Sequence, residues 1–259
     1  MTRTLLIIFS AATILCIASF AGAAALGGAD LHRNGWAWVI DETEDGGRVR
    51  RASSVEVVEG PETTRTVAWT GGQTLSLDLP ADVTFIQGDT ANVVITGPQS
   101  AVDRVQVDGG RIRMRDGPDR AVVRWDRNGI EGWSDSDRLR IVVTAPSVTR
   151  FDIEGSSDLT IQDYDQDIFT LDVSGSGDVT ATGRTATVDL DIAGSGDVDL
   201  SDLTTTDARA DLSGSGDATL APTGEAAISI SGSGDVDLTT RPARLTQDIT
   251  GSGDVDERG

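Results

Sequence analysis

The tetrapeptide Gly-Ser-Gly-Asp returns at a nearly constant interval along the second half of this chain. It stands at Gly175–Asp178, Gly194–Asp197, Gly214–Asp217, Gly232–Asp235 and Gly251–Asp254, and Gly155–Asp158 reads Gly-Ser-Ser-Asp, an imperfect first copy. Counted from the first glycine, successive copies lie 20, 19, 20, 18 and 19 residues apart. A catalytic site is needed once, whereas the corner of a solenoid is needed on every coil. The period therefore constrains architecture before it says anything about chemistry.

Apolar residues keep step with the motif. Phe151, Ile153, Leu159 and Ile161 surround the first copy, and Phe169, Leu171, Val173 and Val179 the second. Val188, Leu190, Ile192, Val198 and Leu200 repeat the pattern, as do Ile228, Ile230, Val236 and Leu238. Side chains alternate across a strand, so these point inward while Asp189, Asp191, Asp199 and Asp237 face water. Leucine-rich repeats need a different leucine register and propeller blades about twice the length. The fold expected is all-β, a solenoid of the parallel β-helix type with coils of about 19 residues.

Within each coil the motif reads as a structural turn. Gly175 and Gly177, Gly194 and Gly196, Gly214 and Gly216, Gly232 and Gly234, and Gly251 and Gly253 let the backbone turn without a Cβ clash. Positive φ is expected at Gly196 and Gly216. Asp178, Asp197, Asp217, Asp235 and Asp254, with Asp158, are expected to accept hydrogen bonds from amides of their own turn. Two carboxylates ~5 Å apart repel by roughly 0.8 kcal/mol in water-like surroundings, and a charge-assisted hydrogen bond returns roughly 1.5–3 kcal/mol. A solvent-facing ladder is therefore tolerable. A calcium roll has a similar coil length, but its register puts Val198 where a ligand aspartate belongs. No metal and no cofactor are expected.

Charge is unevenly placed. Residues 1–150 carry 16 Arg against 19 acids, and residues 151–259 carry 5 Arg against 23, with no lysine anywhere. So acidic a surface repels phosphate backbones, which argues against nucleic acid as a partner. The sequence identifies no partner, an envelope or surface glycan or protein being the class left open.

The N-terminus has the form of an export signal. One arginine precedes an apolar run, and Ala21-Gly22-Ala23 matches a small-residue cleavage site. Residues 1–23 read as a secretory signal peptide and the mature protein as periplasmic or cell-surface. The alternative is an inner-membrane anchor over residues 5–26, long enough to span a bilayer and then the one membrane contact. Cys16 lies inside this segment behind the large Leu15, unlike a lipidation site, so cleavage leaves no cysteine and no disulfide. Residues 24–62 read as a linker or leading segment, and the β-helical domain as 63–259.

From Thr63 to Pro146 short strands alternate with turns rich in Gly, Pro and Asp, Leu75, Leu77 and Leu79 sharing one face. The stretch Arg124–Asp137 interrupts them as a projecting hairpin or loop. Its Trp125 and Trp133 are binding candidates able to stack on a sugar, although packing the loop onto the body is the favoured role.

Three segments in order then resemble a known family: "LDLPADVTFIQGDTANVVITGP" with "VDRVQVDGGRIRM", "LRIVVTAPSVTRFDIEGSSDLTI", and the Ser-Gly-Ser-Gly-Asp-Val series. Together they are similar to the head GIN domain family of autotransporter adhesins, over roughly Thr63–Gly259. The resemblance implies an exported bacterial protein folded as a single-stranded right-handed parallel β-helix. It brings no catalytic or binding residues to carry over.

Enzyme chemistry finds little footing. His32, the sole histidine, sits in the leading segment, and no Cys/His pairing exists for a thiol nucleophile or zinc. Arg184, Arg209, Arg241 and Arg244 fall at differing coil positions. The expectation is a non-catalytic envelope protein presenting a β-helical surface for adhesion or scaffolding, with a cation- or glycan-binding module as the alternative. A fibre subunit stacking through coil ends is disfavoured by the acidic final coil.

Overall fold

The computed structural model describes residues 36–41, 48–52, 61–126 and 129–258. The expected signal peptide, the alternative anchor, Cys16 and His32 all lie outside these residues. No helix among them is long and apolar enough to cross a membrane. They divide into two compact units, Met1–Gly60 with Arg120–Ser134, and Pro61–Asp119 with Asp135–Gly259.

The second unit is a β-solenoid built from two sheets. In one sheet Asp82–Gln87, Asp158–Asp165, Val179–Arg184, Val198–Asp199, Ala218–Leu220, Val236–Leu238 and Val255–Glu257 stack in parallel. In the other, Thr74–Asp78, Arg150–Gly155, Ile168–Gly175, Thr187–Ile192, Asp207–Leu212, Glu225–Gly232 and Arg244–Gly251 do the same. Register follows the sequence pattern. Leu171 lies beside Leu190, then Ala210 and Ile228, while Val179 lies beside Val198, then Ala218 and Val236. A slip by one residue would turn every one of these to water.

All the inward residues named from sequence are buried in one continuous core. Within it Phe151 packs against Phe85 and Phe169 with ring centroids 5.2 and 5.4 Å apart, and Tyr164 meets Phe169 edge-on at 5.1 Å. Such pairs add roughly 0.5–1.5 kcal/mol each beyond area burial. The Tyr164 hydroxyl donates to the Ile168 carbonyl, and burial pushes its pKa well above the usual phenol value.

At the N-terminal end of the solenoid the pairing changes sense. Arg140–Ala145 continues the first sheet in parallel, but Asn92–Pro98 and then Glu62–Ala68 pair antiparallel. In the second sheet Arg111–Met114 is parallel to Thr74–Asp78, and Val105–Asp108 closes the sheet antiparallel. A polar network braces this end. Arg104 donates to Gly117 O at 2.9 Å and to Ser136 Oγ at 2.6 Å, Ser136 Oγ donates to Asp119 at 2.5 Å, and Ser100 Oγ to buried Asp135 at 2.7 Å.

The first unit is a four-stranded antiparallel sheet. Arg120–Asp126 and Gly129–Ser134 form a hairpin, Trp36–Asp41 pairs with Arg120–Asp126, and Arg48–Ala52 pairs with Trp36–Asp41. Part of the segment read as a linker thus supplies two strands to the interrupting hairpin. Val39 and Val122 are buried together, with Trp133 packed against them.

Candidate functional site

The recurring corner is the most regular feature of the surface. In each Gly-Ser-Gly-Asp copy the serine and aspartate are exposed, whereas Gly177, Gly196, Gly216 and Gly234 are buried beneath the coil that follows. Coils are tied by the serine amide: Ser195 N–H donates to Gly175 O at 2.8 Å, Ser215 to Gly194 O at 2.9 Å, and Ser233 to Gly214 O at 2.8 Å.

The expectation of positive φ at Gly196 and Gly216 is corrected. Among the motif glycines positive φ occurs at Gly155, Gly214 and Gly251. What demands glycine is contact between coils. A Cβ on Gly196 would lie less than 3.0 Å from the Gly177 carbonyl oxygen, and one on Gly216 equally close to Gly196 O. The same holds for Gly175 and Gly194 in the first position of the motif, and for Gly232, Gly234, Gly251 and Gly253 in later coils. The imperfect first copy fits this reason. Ser157 takes the second-glycine position above a different corner, is fully buried, and donates its hydroxyl to Leu79 O.

The aspartates also bond between coils rather than within their own turn. Asp178 N–H donates to Asp158 Oδ1 at 3.0 Å, Asp197 to Asp178 at 3.0 Å and Asp217 to Asp197 at 3.1 Å. Asp235 donates to Asp217 and Asp254 to Asp235, each at 2.8 Å. Each carboxylate thus spends one oxygen on the following coil. At Asp254, above which no coil lies among the described residues, the carboxylate accepts instead from Val255 N–H at 2.9 Å. Corresponding amides in earlier coils, Val198 for example, reach the next aspartate carbonyl at 2.9 Å. No group of His, Cys, Asp and Glu able to hold a metal occurs among the described residues.

A second surface feature was not legible in the sequence. Asp163, the one non-glycine residue at positive φ among those described, marks a register shift between Ile161 and Tyr164. Beside it runs an open groove of about 510 Å³ lined by Asp163, Tyr164, Asp165, Gly183, Arg184 and Thr204. Arg184 grips Asp165 in a two-pronged pair at 2.8 and 2.7 Å, which lowers the Asp165 pKa and raises that of Arg184. With Arg184 and Asp165 paired to each other and its mouth open to solvent, the groove lacks the enclosed form of a small-molecule site.

The two tryptophan candidates part company. Trp133 packs toward Val39 and Val122 with the Arg124 guanidinium 5.7 Å from its ring, so it serves the hairpin. The backbone of Trp125 pairs with Trp36 across neighbouring strands, and its side chain lies outside the described residues. Trp38, on the same strand as Trp36, is 40% exposed.

Residues 73–242 match the family model described as "Putative auto-transporter adhesin, head GIN domain". The chain belongs to the head GIN domain family. A solved structure of a "putative adhesin" from Bacteroides fragilis superposes with a TM-score of 0.57 at 17% identity, covering 76% of this chain and 97% of that one. Others from Parabacteroides distasonis and Parabacteroides merdae give TM-scores of 0.47 and 0.45 at 15% and 14% identity. Each covers 76% of this chain, and 97% and 96% of its own. Curated proteins provide no match. The Bacteroides fragilis likeness supports the solenoid, and at such identity it says nothing of a ligand. In this head GIN domain the match spans the corners from Gly155 to Asp235 and also the antiparallel end from Asn92 to Pro98.

Proposed function

We propose that this head GIN domain protein is exported and acts without catalysis, presenting the outer faces of its solenoid for adhesion or scaffolding in the cell envelope. The observation that carries the reading is the regular outward array. Asp152, Asp172, Asp191 and Asp211 follow one another on adjacent strands of one sheet, while the corner adds exposed serine and aspartate columns. A repeating face of this kind suits a partner with a repeating surface better than a single small substrate. Family membership adds weight to an adhesin-like role at the surface.

The test is retention of cells or purified protein on host and bacterial surface material. A strain lacking the gene should adhere less, and added protein should compete. Undiminished adhesion together with no saturable binding by the protein would remove the reading.

A second reading, a glycan-binding module, draws on Trp38, whose aromatic side chain is exposed on the four-stranded sheet. Aromatic side chains on a sheet suit the apolar faces of sugar rings. A glycan array read with wild type and Trp38→Ala separates the two, since loss of array signal in the variant places glycan recognition on the four-stranded sheet.

A further inference from the structure

Both ends of the solenoid present open strand edges among the described residues. At the end that follows the last corner, here the tail, the sheets finish at Val255–Glu257 and Arg244–Gly251. At the opposite end, the head, they finish at Glu62–Ala68 and Val105–Asp108.

The tail is incompletely covered. Leu245, Ile249 and Val255 occupy the inward positions held one coil earlier by buried Ala226, Ile230 and Val236, yet they are half-buried. Glu257 stands in register with buried Leu238, so an acid occupies an inward position. With Asp248, Asp254 and Asp256 it makes the tail acidic.

The head is complementary. A groove of about 360 Å³ between its two edges is lined by Val67, Val105 and Val107 with Gln106 and Asp108, and Arg65 and Arg113 stand at its sides. Arg65 donates to the Val105 carbonyl, while its Nε is buried and has no partner among the described residues. A carboxylate brought to the head there would lie beside the Arg65 guanidinium.

Strand direction permits the match. Glu62–Ala68 is antiparallel to Asn92–Pro98, which is antiparallel to Arg140–Ala145, so it runs in the sense of the stacked strands. Val105–Asp108 runs against the sense of its sheet. A second copy translated along the solenoid axis therefore meets one parallel and one antiparallel edge, and both pairings are ordinary in sheets.

We propose that the tail of one copy seats on the head of another, so that both sheets continue from chain to chain. Val255–Glu257 adds in parallel to Glu62–Ala68, and Arg244–Gly251 adds antiparallel to Val105–Asp108. Glu257 faces Arg65, and Leu245, Ile249 and Val255 cover Val67 and Val107. Such a contact joins two different surfaces and does not close on itself, so it builds an open row of copies. The acidic final coil, which by sequence alone disfavours stacking through coil ends, repels another tail but finds Arg65 and Arg113 on the head, and this sets the polarity of the row. The proposal does not rest on the adhesin reading.

The test is sedimentation of the full chain, recovered from the exported fraction, from about 1 to about 200 µM at low salt, a range that spans weak to moderate self-affinity. The expected result is a mass that climbs past the dimer with concentration and falls as salt screens the charges. Arg65→Glu and Glu257→Arg, each with an unchanged far-UV spectrum, should sediment as monomers, and an equimolar mixture of the two should assemble again. Arg113→Glu serves as the head variant if Arg65→Glu unfolds. A wild-type monomer at every concentration overturns the proposal. So does a dimer that persists in the head variants, because that would be a tail-to-tail contact.

Discussion

The amide of Asp197 donates to the carboxylate of Asp178, one coil earlier, at 3.0 Å. The same bond joins each pair of neighbouring motif aspartates from Asp158 to Asp254. An aspartate here is a connector along the solenoid axis. Its carboxylate oxygen does for the corner what a ladder carbonyl does within a strand.

That role separates asparagine from alanine. Asp197→Asn keeps an acceptor for the Asp217 amide and removes one charge from the column, so its effect on stability should be within about 0.5 kcal/mol. Asp197→Ala leaves that amide without its partner and should cost about 1–2 kcal/mol. Denaturant midpoints of the two variants, side by side, are the measurement. Equal losses in both would show that the connecting bond contributes nothing.

Contact between coils makes a sharper claim for glycine. Gly196→Ala places a methyl group against the Gly177 carbonyl, which is backbone and cannot turn away, so a loss above about 3 kcal/mol is expected. Ser157→Gly, at the same position of the first corner, gives up one buried hydroxyl bond and should cost roughly 1 kcal/mol. If the alanine variant melts like wild type, coils are not held at this spacing.

Asp172 sets a pH dependence. Burial raises its pKa, Arg150 pulls the other way, and the neighbouring carboxylates of Asp152 and Asp191 raise it further. A carboxyl group raised in the folded state costs stability when ionised, so the fold gains stability as pH falls through the raised value toward the unfolded one. Asp172→Asn should therefore remove part of that gain in a series of melting temperatures from neutral to mildly acidic pH. Asp165 works in the opposite sense. Arg184 lowers its pKa, so whatever stability it adds is present above the unfolded pKa and lost as pH falls through the folded value. An unchanged pH profile in Asp172→Asn would mean that its burial is not felt in solution.

The ladder should not respond to calcium. Each corner carboxylate already has one oxygen engaged by an amide, and melting temperatures in chelator and in millimolar calcium are expected to agree. A micromolar site would gain about 4 kcal/mol at a thousandfold excess, a shift of several degrees. Such a shift, abolished in an Asp197→Asn/Asp217→Asn double variant, would assign the corner to cation binding.

The sequence by itself determined which face of each strand is buried. Phe169, Leu171 and Val173 alternate with polar residues, and alternation is a local property that any strand must obey. It also determined the stacking partners, because identical corners at a near-constant period can be superposed in one register only. The tertiary structure decided what lies on the far side of each group. Gly196 is glycine because of Gly177, and Asp178 is satisfied by Asp197, contacts between residues 19 apart that no local preference for turns encodes. The four-stranded sheet joins Trp36–Asp41 to Arg120–Asp126 across most of a hundred intervening residues, and a strand's pattern names its buried face without naming its neighbour. Polarity along the axis was decided in the same way. The acidic last coil could be read from the chain, but the Arg65 groove opposite exists only because two edge strands end side by side.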